Sequence, residues 1–150
     1  MLINLDRARN VLNEEKLDAV VLVTSTNVIY ASDSATEFML GKFEDFTAAV
    51  VIAADPKISA ALIVPEFDLP YLIESPSWID DICVYGNPWS SVGIFMGQTL
   101  EDHLDTDLRI KLKDIRAKTQ PKQQANIQQA VLKALDERGL KTARLGCDDL

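Results

Sequence analysis

The five residues Ala19-Val20-Val21-Leu22-Val23 constrain the fold more than any others in the chain. A β-branched and aliphatic run without polar alternation is a strand buried on both faces, and such a strand needs a layer on each side. Ahead of it, Leu5, Ala8 and Leu12 recur at the spacing of one helical face, with Val11 beside them. The spacing predicts a helix from about Leu5 to Lys16. Asn4 is placed to cap it, Asp6 suits its positive end and Lys16 its negative end. A helix feeding through Asp18 into a doubly buried strand is the opening unit of a layered α/β domain.

Behind the strand, Thr24-Ser25-Thr26-Asn27 reads as a polar turn and Val28-Ile29-Tyr30 as a short apolar island. Residues 32–45 are polar, with Phe38, Met39, Leu40 and Phe43 scattered among them. They read as a long loop, a length usually tied to function or mobility. Two strands, Thr47–Ala53 and Ala60–Val64, flank the turn-forming Asp55-Pro56-Lys57 and are close enough to pair as an antiparallel hairpin. A short helix is expected from near Asp68, with Pro70 in its first turn, ending before Pro76. Ile79–Tyr85 gives a fourth strand.

From Gly86 to Gln120 the periodicity weakens. Gly86-Asn87-Pro88 is a turn, Val92–Phe95 a short strand, and Leu100, Leu104 and Leu108 share a helical spacing. The last helix carries Ile127, Ala130, Val131, Ala134 and Leu135, with Pro121 at its start and Gly139 at its end. Ala143–Cys147 is the final strand. The expected fold is α/β, a mixed sheet of about five to six strands with an internal antiparallel hairpin and flanking helices. One domain over residues 1–150 accommodates it.

A formal net charge of −8 argues against nucleic acid and against anionic membrane surfaces, because both need clustered Lys and Arg. No apolar run approaches bilayer length. Leu2-Ile3-Asn4-Leu5-Asp6 after Met1 has neither the basic stretch nor the apolar core of a secretory leader, so a cytoplasmic protein is expected. Cys83 and Cys147 fit no metal spacing and are expected as buried free thiols.

Candidate chemistry is sparse. His103, the only histidine, lies in Glu101-Asp102-His103-Leu104-Asp105, but Asp102, His103 and Asp105 do not converge on one helical face. A solvated polar stretch is the favoured reading over a metal site. Ser25 follows a strand yet lacks the Gly-x-Ser-x-Gly elbow of a nucleophilic serine. Thr24-Ser25-Thr26 has no Gly-rich loop to make it a phosphate cradle. Trp78 and Trp89 flank the fourth strand, as core or as a partner surface.

Three segments carry a resemblance. Leu17-Asp18-Ala19-Val20-Val21-Leu22 has an L-D-A entry to a strand, and Asn27-Val28-Ile29-Tyr30 supplies N-x-x-Y a few residues on. The hairpin Ala48–Val64 ends in Pro65-Glu66, and Gly139-Leu140 leads to Leu145-Gly146-Cys147-Asp148. In this order they resemble the amino-terminal domain of the creatinase, prolidase and aminopeptidase P family. The match has departures. Tyr30 continues as Ala31-Ser32-Asp33-Ser34, where the family usually places a small residue, Gly and an aromatic, and the 88–120 segment is longer than the usual connection.

The resemblance implies a non-catalytic domain. In the family, catalysis resides in a following "pita-bread" domain whose two Asp, one His and two Glu hold two divalent metal ions. No catalytic, cofactor or metal residue is therefore expected in this chain, and two ions (Mn, Co or Zn) are expected in the missing domain. Leu150 falls about where that domain would begin, which suggests a piece of a longer protein or a stand-alone relic of one. The expected roles are dimerisation and gating beside the protein's own C-terminal catalytic domain, in a homodimer. Asn27, Tyr30, Asp33 and Phe38 are the expected active-site rim or domain contact. The substrate would be a Xaa-Pro peptide, creatine or another amide. The alternative is a protein-binding module without hydrolase activity, as creatinase-like folds serve in histone-chaperone assemblies. The acidic charge is compatible with a basic protein partner.

Overall fold

The computed structural model describes residues 2–35, 46–86 and 105–148. Helix α1 (Leu5–Glu14) starts where Asn4 Oδ1 accepts the Arg7 amide at 3.0 Å. It stops before Lys16, whose backbone takes the left-handed region at φ 55°. Strand β1 (Ala19–Leu22) follows, as expected. Strands β2 (Ala49–Ala53) and β3 (Ala61–Pro65) form the hairpin, and every residue in both is buried. At their turn, Asp55 accepts the Lys57 amide on its side chain at 2.9 Å and the Ile58 amide on its carbonyl at 3.1 Å. Strand β4 (Ile82–Tyr85) and the short edge strand β5 (Leu145–Cys147) complete a five-stranded sheet in the order β4-β3-β2-β1-β5.

Pairing is antiparallel for β1–β2 and β2–β3, and parallel for β3–β4 and β1–β5. Strand β2 thus runs against the other four, and the carboxyl ends of β1, β3, β4 and β5 share one edge of the sheet. Alternate side chains divide the core, because strand residues point to opposite faces. Val50, Ile52, Leu62, Val64 and Val84 pack with Val28, Leu69, Leu72 and Leu112. Those last four lie on helices α2 (Ser25–Ser32), α3 (Leu69–Glu74) and α4 (Thr106–Thr119). On the other face, Val51, Ala53, Ile63 and Cys83 meet Ala130, Ala134 and Leu135 of α5 (Ile127–Glu137). The expected mixed sheet flanked by helices is the fold observed.

Several local expectations need correcting. Residues 25–32 are helix α2, not a turn and an apolar island. Val28 and Ala31, three apart, are both fully buried on its inner face. Pro121 does not open the last helix. It lies in a separate 3-10 turn (Gln120–Lys122), and α5 is capped by Asn126, which accepts the Gln129 amide at 2.9 Å. Helix α4 begins at Thr106, where Asp105 accepts the Leu108 amide at 2.8 Å, and of the three leucines expected to share a helical spacing Leu100 and Leu104 lie outside the described residues. The fourth strand begins at Ile82 rather than Ile79, and Ser77 and Trp78, just ahead of Ile79, are bonded to α2. The Ser77 hydroxyl donates to Ser32 O at 2.6 Å and the Trp78 indole to Ala31 O at 2.8 Å. Cys147 is exposed rather than buried, because it stands on the sheet's last strand, while Cys83 is buried. Strand β1 is sided rather than doubly buried: Ala19 and Val21 are buried, Val20 and Leu22 only partly. Only the short β5 separates it from the edge.

The expected strand Val92–Phe95, the loop residues Phe38, Met39, Leu40 and Phe43, and His103, Pro88 and Trp89 lie outside the described residues. Among the described residues no helix is long and apolar enough to cross a membrane.

Candidate functional site

The common carboxyl edge of β1, β3, β4 and β5 is where an open α/β sheet ordinarily places its functional groups. There the chain closes a contact between its two ends. One carboxylate oxygen of Asp148, just past β5, accepts the Val23 amide at 2.8 Å. The other accepts the Thr24 amide at 3.2 Å, the Thr24 hydroxyl at 2.6 Å and the Asn27 side-chain amide at 2.8 Å. Thr24 is the N-cap of α2, and its own side chain makes no capping bond. A carboxylate comes instead from the end of the neighbouring strand β5, bonding the Thr24 amide at the helix end that favours negative charge.

Burial pushes the Asp148 carboxyl up, but the bonds from Thr24, Val23 and Asn27 outweigh it and hold the group below the usual carboxylate range. A depressed folded-state pKa contributes stability above the unfolded value of about 3.9, lost as pH falls through the folded one. The charged latch is therefore complete at neutral pH.

The expected rim residues separate in role. Asn27 is held by Asp148. Tyr30, one turn on, is 49% exposed and presents its ring to solvent. Asp33 ends α2 in the left-handed region at φ 62°, where its amide donates to Ile29 O at 3.0 Å. Phe38 lies outside the described residues. Asp148 stands in the closing segment of the resemblance and Thr24 in the Thr24-Ser25-Thr26 turn, but neither motif gives it this role. Only the parallel register Val21↔Cys147 brings residue 148 to the end of β1. Phe46 stands at the same edge, half-exposed and at φ 76°, with its amide donating to Val23 O at 3.0 Å. Positive φ is uncommon for so bulky a residue.

Further along the edge, Glu66 pairs with Arg116 at 2.9 Å, joining the end of β3 to α4. The Tyr85 hydroxyl donates to Thr47 O at 2.6 Å. Burial, and then the Asp68 charge, push the Tyr85 phenol up to about 12. The Cys83 thiol is likewise pushed up to about 11, by burial first and by the Asp81 charge second. Both shifts favour the protonated form at neutral pH. The Thr24 donors that a phosphate cradle would need are occupied by Asp148. Among the described residues no three His, Cys, Asp or Glu side chains stand together as a metal ion requires.

At the opposite edge, Asn13, Asp18, Ala54, Gly139 and Thr142 line a shallow open cleft. Asp18 is committed to structure there. Its carboxylate accepts the Arg144 amide at 2.7 Å, and its amide donates to Arg144 O at 2.8 Å.

A family model described as the Creatinase/Prolidase N-terminal domain matches residues 4–149. No curated protein sequence matches the chain. Among solved structures, the prolidase from Pyrococcus horikoshii OT3 is similar at 18% identity and a TM-score of 0.41, over 86% of this chain and 33% of that one. The creatinase/prolidase N-terminal domain of an X-Pro dipeptidase from Streptococcus pyogenes is similar at 16% identity and a TM-score of 0.42, over 86% of this chain and 96% of that one. A Streptococcus thermophilus dipeptidase domain gives 17% identity and a TM-score of 0.41, again over 86% and 96%. The chain thus spans about a third of the length of the full prolidase.

Proposed function

Because the chain belongs to the Creatinase/Prolidase N-terminal domain family, we propose that it is a non-catalytic domain that works beside a two-metal hydrolase domain, contributing to dimerisation and to gating of the active site. The observation that carries this reading is the family match over residues 4–149, nearly the whole chain. The proposed parent activity is hydrolysis of a Xaa-Pro peptide or a related amide such as creatine. Two divalent ions (Mn, Co or Zn) would supply an activated water and polarise the carbonyl. The described residues do not fit such ions, since no three metal-ligating side chains stand together. The ions are assigned to the catalytic domain.

What this chain would contribute is shape. The Asp148 latch fixes the start of α2, and α2 carries Tyr30 out to solvent at a defined place. Tyrosine suits such a position, having an apolar ring, a polar tip and few rotamers to lose on contact. A cytoplasmic setting goes with this reading, since both cysteines are free. The net charge of −8 favours one second reading, a stand-alone module that binds a basic protein. Any sequence that follows residue 150 in the parent gene distinguishes the two: five metal ligands at the family's spacing favour the hydrolase partner, and a degraded or absent set favours the module.

The purified chain is expected not to hydrolyse Xaa-Pro dipeptides with manganese or cobalt added. Metal-dependent turnover that persists at constant specific activity through further purification overturns the non-catalytic assignment.

A further inference from the structure

Strand β5 is held differently from the rest of the sheet. Strands β2 and β3 are buried at every position. In β5, by contrast, Leu145 and Cys147 are exposed and Gly146 has no side chain. Little apolar area keeps the strand in place, so polar bonds must do so. Beyond the ladder to Ala19–Val21, those bonds concentrate at its two ends. At one end Asp18 brackets Arg144, accepting its amide at 2.7 Å and donating to its carbonyl at 2.8 Å. At the other, Asp148 takes its four bonds from Val23, Thr24 and Asn27.

The approach to β5 is anchored. Gly139 turns the chain out of α5 at φ 68°, the Leu140 amide donates to Leu135 O at 2.8 Å, and Leu140 is buried. The weakly packed segment therefore begins after this anchor.

We infer that residues 144–148 form a strap, clasped by Asp18 and Asp148, that opens as one unit while the rest of the sheet stays folded, baring the outer edge of β1. Proteins open in such contiguous units, and the first to open have few buried apolar contacts and exposed backbone bonds. The strap meets both conditions. Asp148 is the positioning residue of the device, because its single carboxylate closes four of the bonds that must break together.

Native-state hydrogen exchange tests this inference without reference to the gating role. In the unaltered chain, the Asp18, Val23, Thr24 and Arg144 amides are expected to exchange at least about tenfold faster than those of β2 and β3. Asp148→Ala removes the acceptor of Val23 and Thr24, so faster exchange at those two positions is trivial. The informative amides are Asp18 and Arg144, at the far end of the strap. Their exchange is expected to rise about tenfold or more, with β2 and β3 unchanged. Asn27→Ala, which removes one donor only, serves if the Asp148 variant does not fold. An effect confined to Val23 and Thr24, or an equal effect throughout the sheet, overturns the strap.

Discussion

A chain carrying Leu62→Asp is expected not to fold. Leu62 is fully buried in β3, between Val50 of β2 and Ile82 of β4. Its side chain lies in the cluster formed with Val28, Leu69 and Leu112. A carboxylate there would lie among packed aliphatic side chains and be excluded from water, at a cost of several kcal/mol even after relaxation. A domain of this size has a net stability of only about 5–15 kcal/mol. Loss of soluble yield and of a cooperative circular-dichroism melt is the expected result. A soluble variant melting near the unaltered chain would show that β3 is not the centre of the core. Leu22, which the apolar run singles out as mid-strand, is the milder site, because it is only partly buried.

Arg138→Ala is expected to lower stability by about 3 kcal/mol, through a network that crosses three elements. The side chain is 5% exposed although arginine is rarely so deep, and it lies at the C-cap of α5. Its guanidinium donates to Ser59 O at 2.8 Å, to Ala60 O at 3.0 Å, to Ala134 O at 3.0 Å and to the Asp81 carboxylate at 2.5 Å. These bonds tie the helix to the start of β3 and to the residue ahead of β4. Truncation leaves three carbonyls and a carboxylate without their donor. For a chain of this length the loss corresponds to a melting temperature lower by about 6–12 °C. Arg138→Lys keeps the charge but not the planar fork, and is expected to recover only part of it. An unchanged melting temperature in Arg138→Ala would contradict the role given to this network.

The layered α/β class was legible because it rests on local patterns. The run Ala19–Val23, the hairpin around Asp55-Pro56-Lys57 and the spacing of Ile127, Ala130, Ala134 and Leu135 each state their element without outside help. Helix α2 was not legible. Its sequence, Ser-Thr-Asn-Val-Ile-Tyr-Ala-Ser, is polar and β-branched, and propensity alone favours a turn. The approach to its N-terminus is held by Asp148, which bonds the Val23 and Thr24 amides and lies 124 residues from Thr24 along the chain. A helix stabilised from so far away leaves no signal in an eight-residue window. The same reason hid the site. Asn27 and Tyr30 were expected at the rim from the N-x-x-Y resemblance; Asn27 bonds to Asp148, and Tyr30 is the more exposed of the two. The buried position of Cys147 failed because strand pattern does not reveal which strand is the edge.

If this domain shapes access to a neighbouring active site, as we propose, Tyr30 is the described residue best placed to test it. The decisive measurement is the ratio of kcat/KM for a Xaa-Pro dipeptide to that for a longer Xaa-Pro peptide, in a protein where this domain is joined to the proposed catalytic domain. Tyr30 is half-exposed, so Tyr30→Ala removes surface and little core, and its melting temperature is expected to stay near that of the unaltered protein. The ratio is expected to shift severalfold, toward the longer peptide if the ring narrows the entrance. An unchanged ratio together with an unchanged dimer dissociation constant would contradict the gating account.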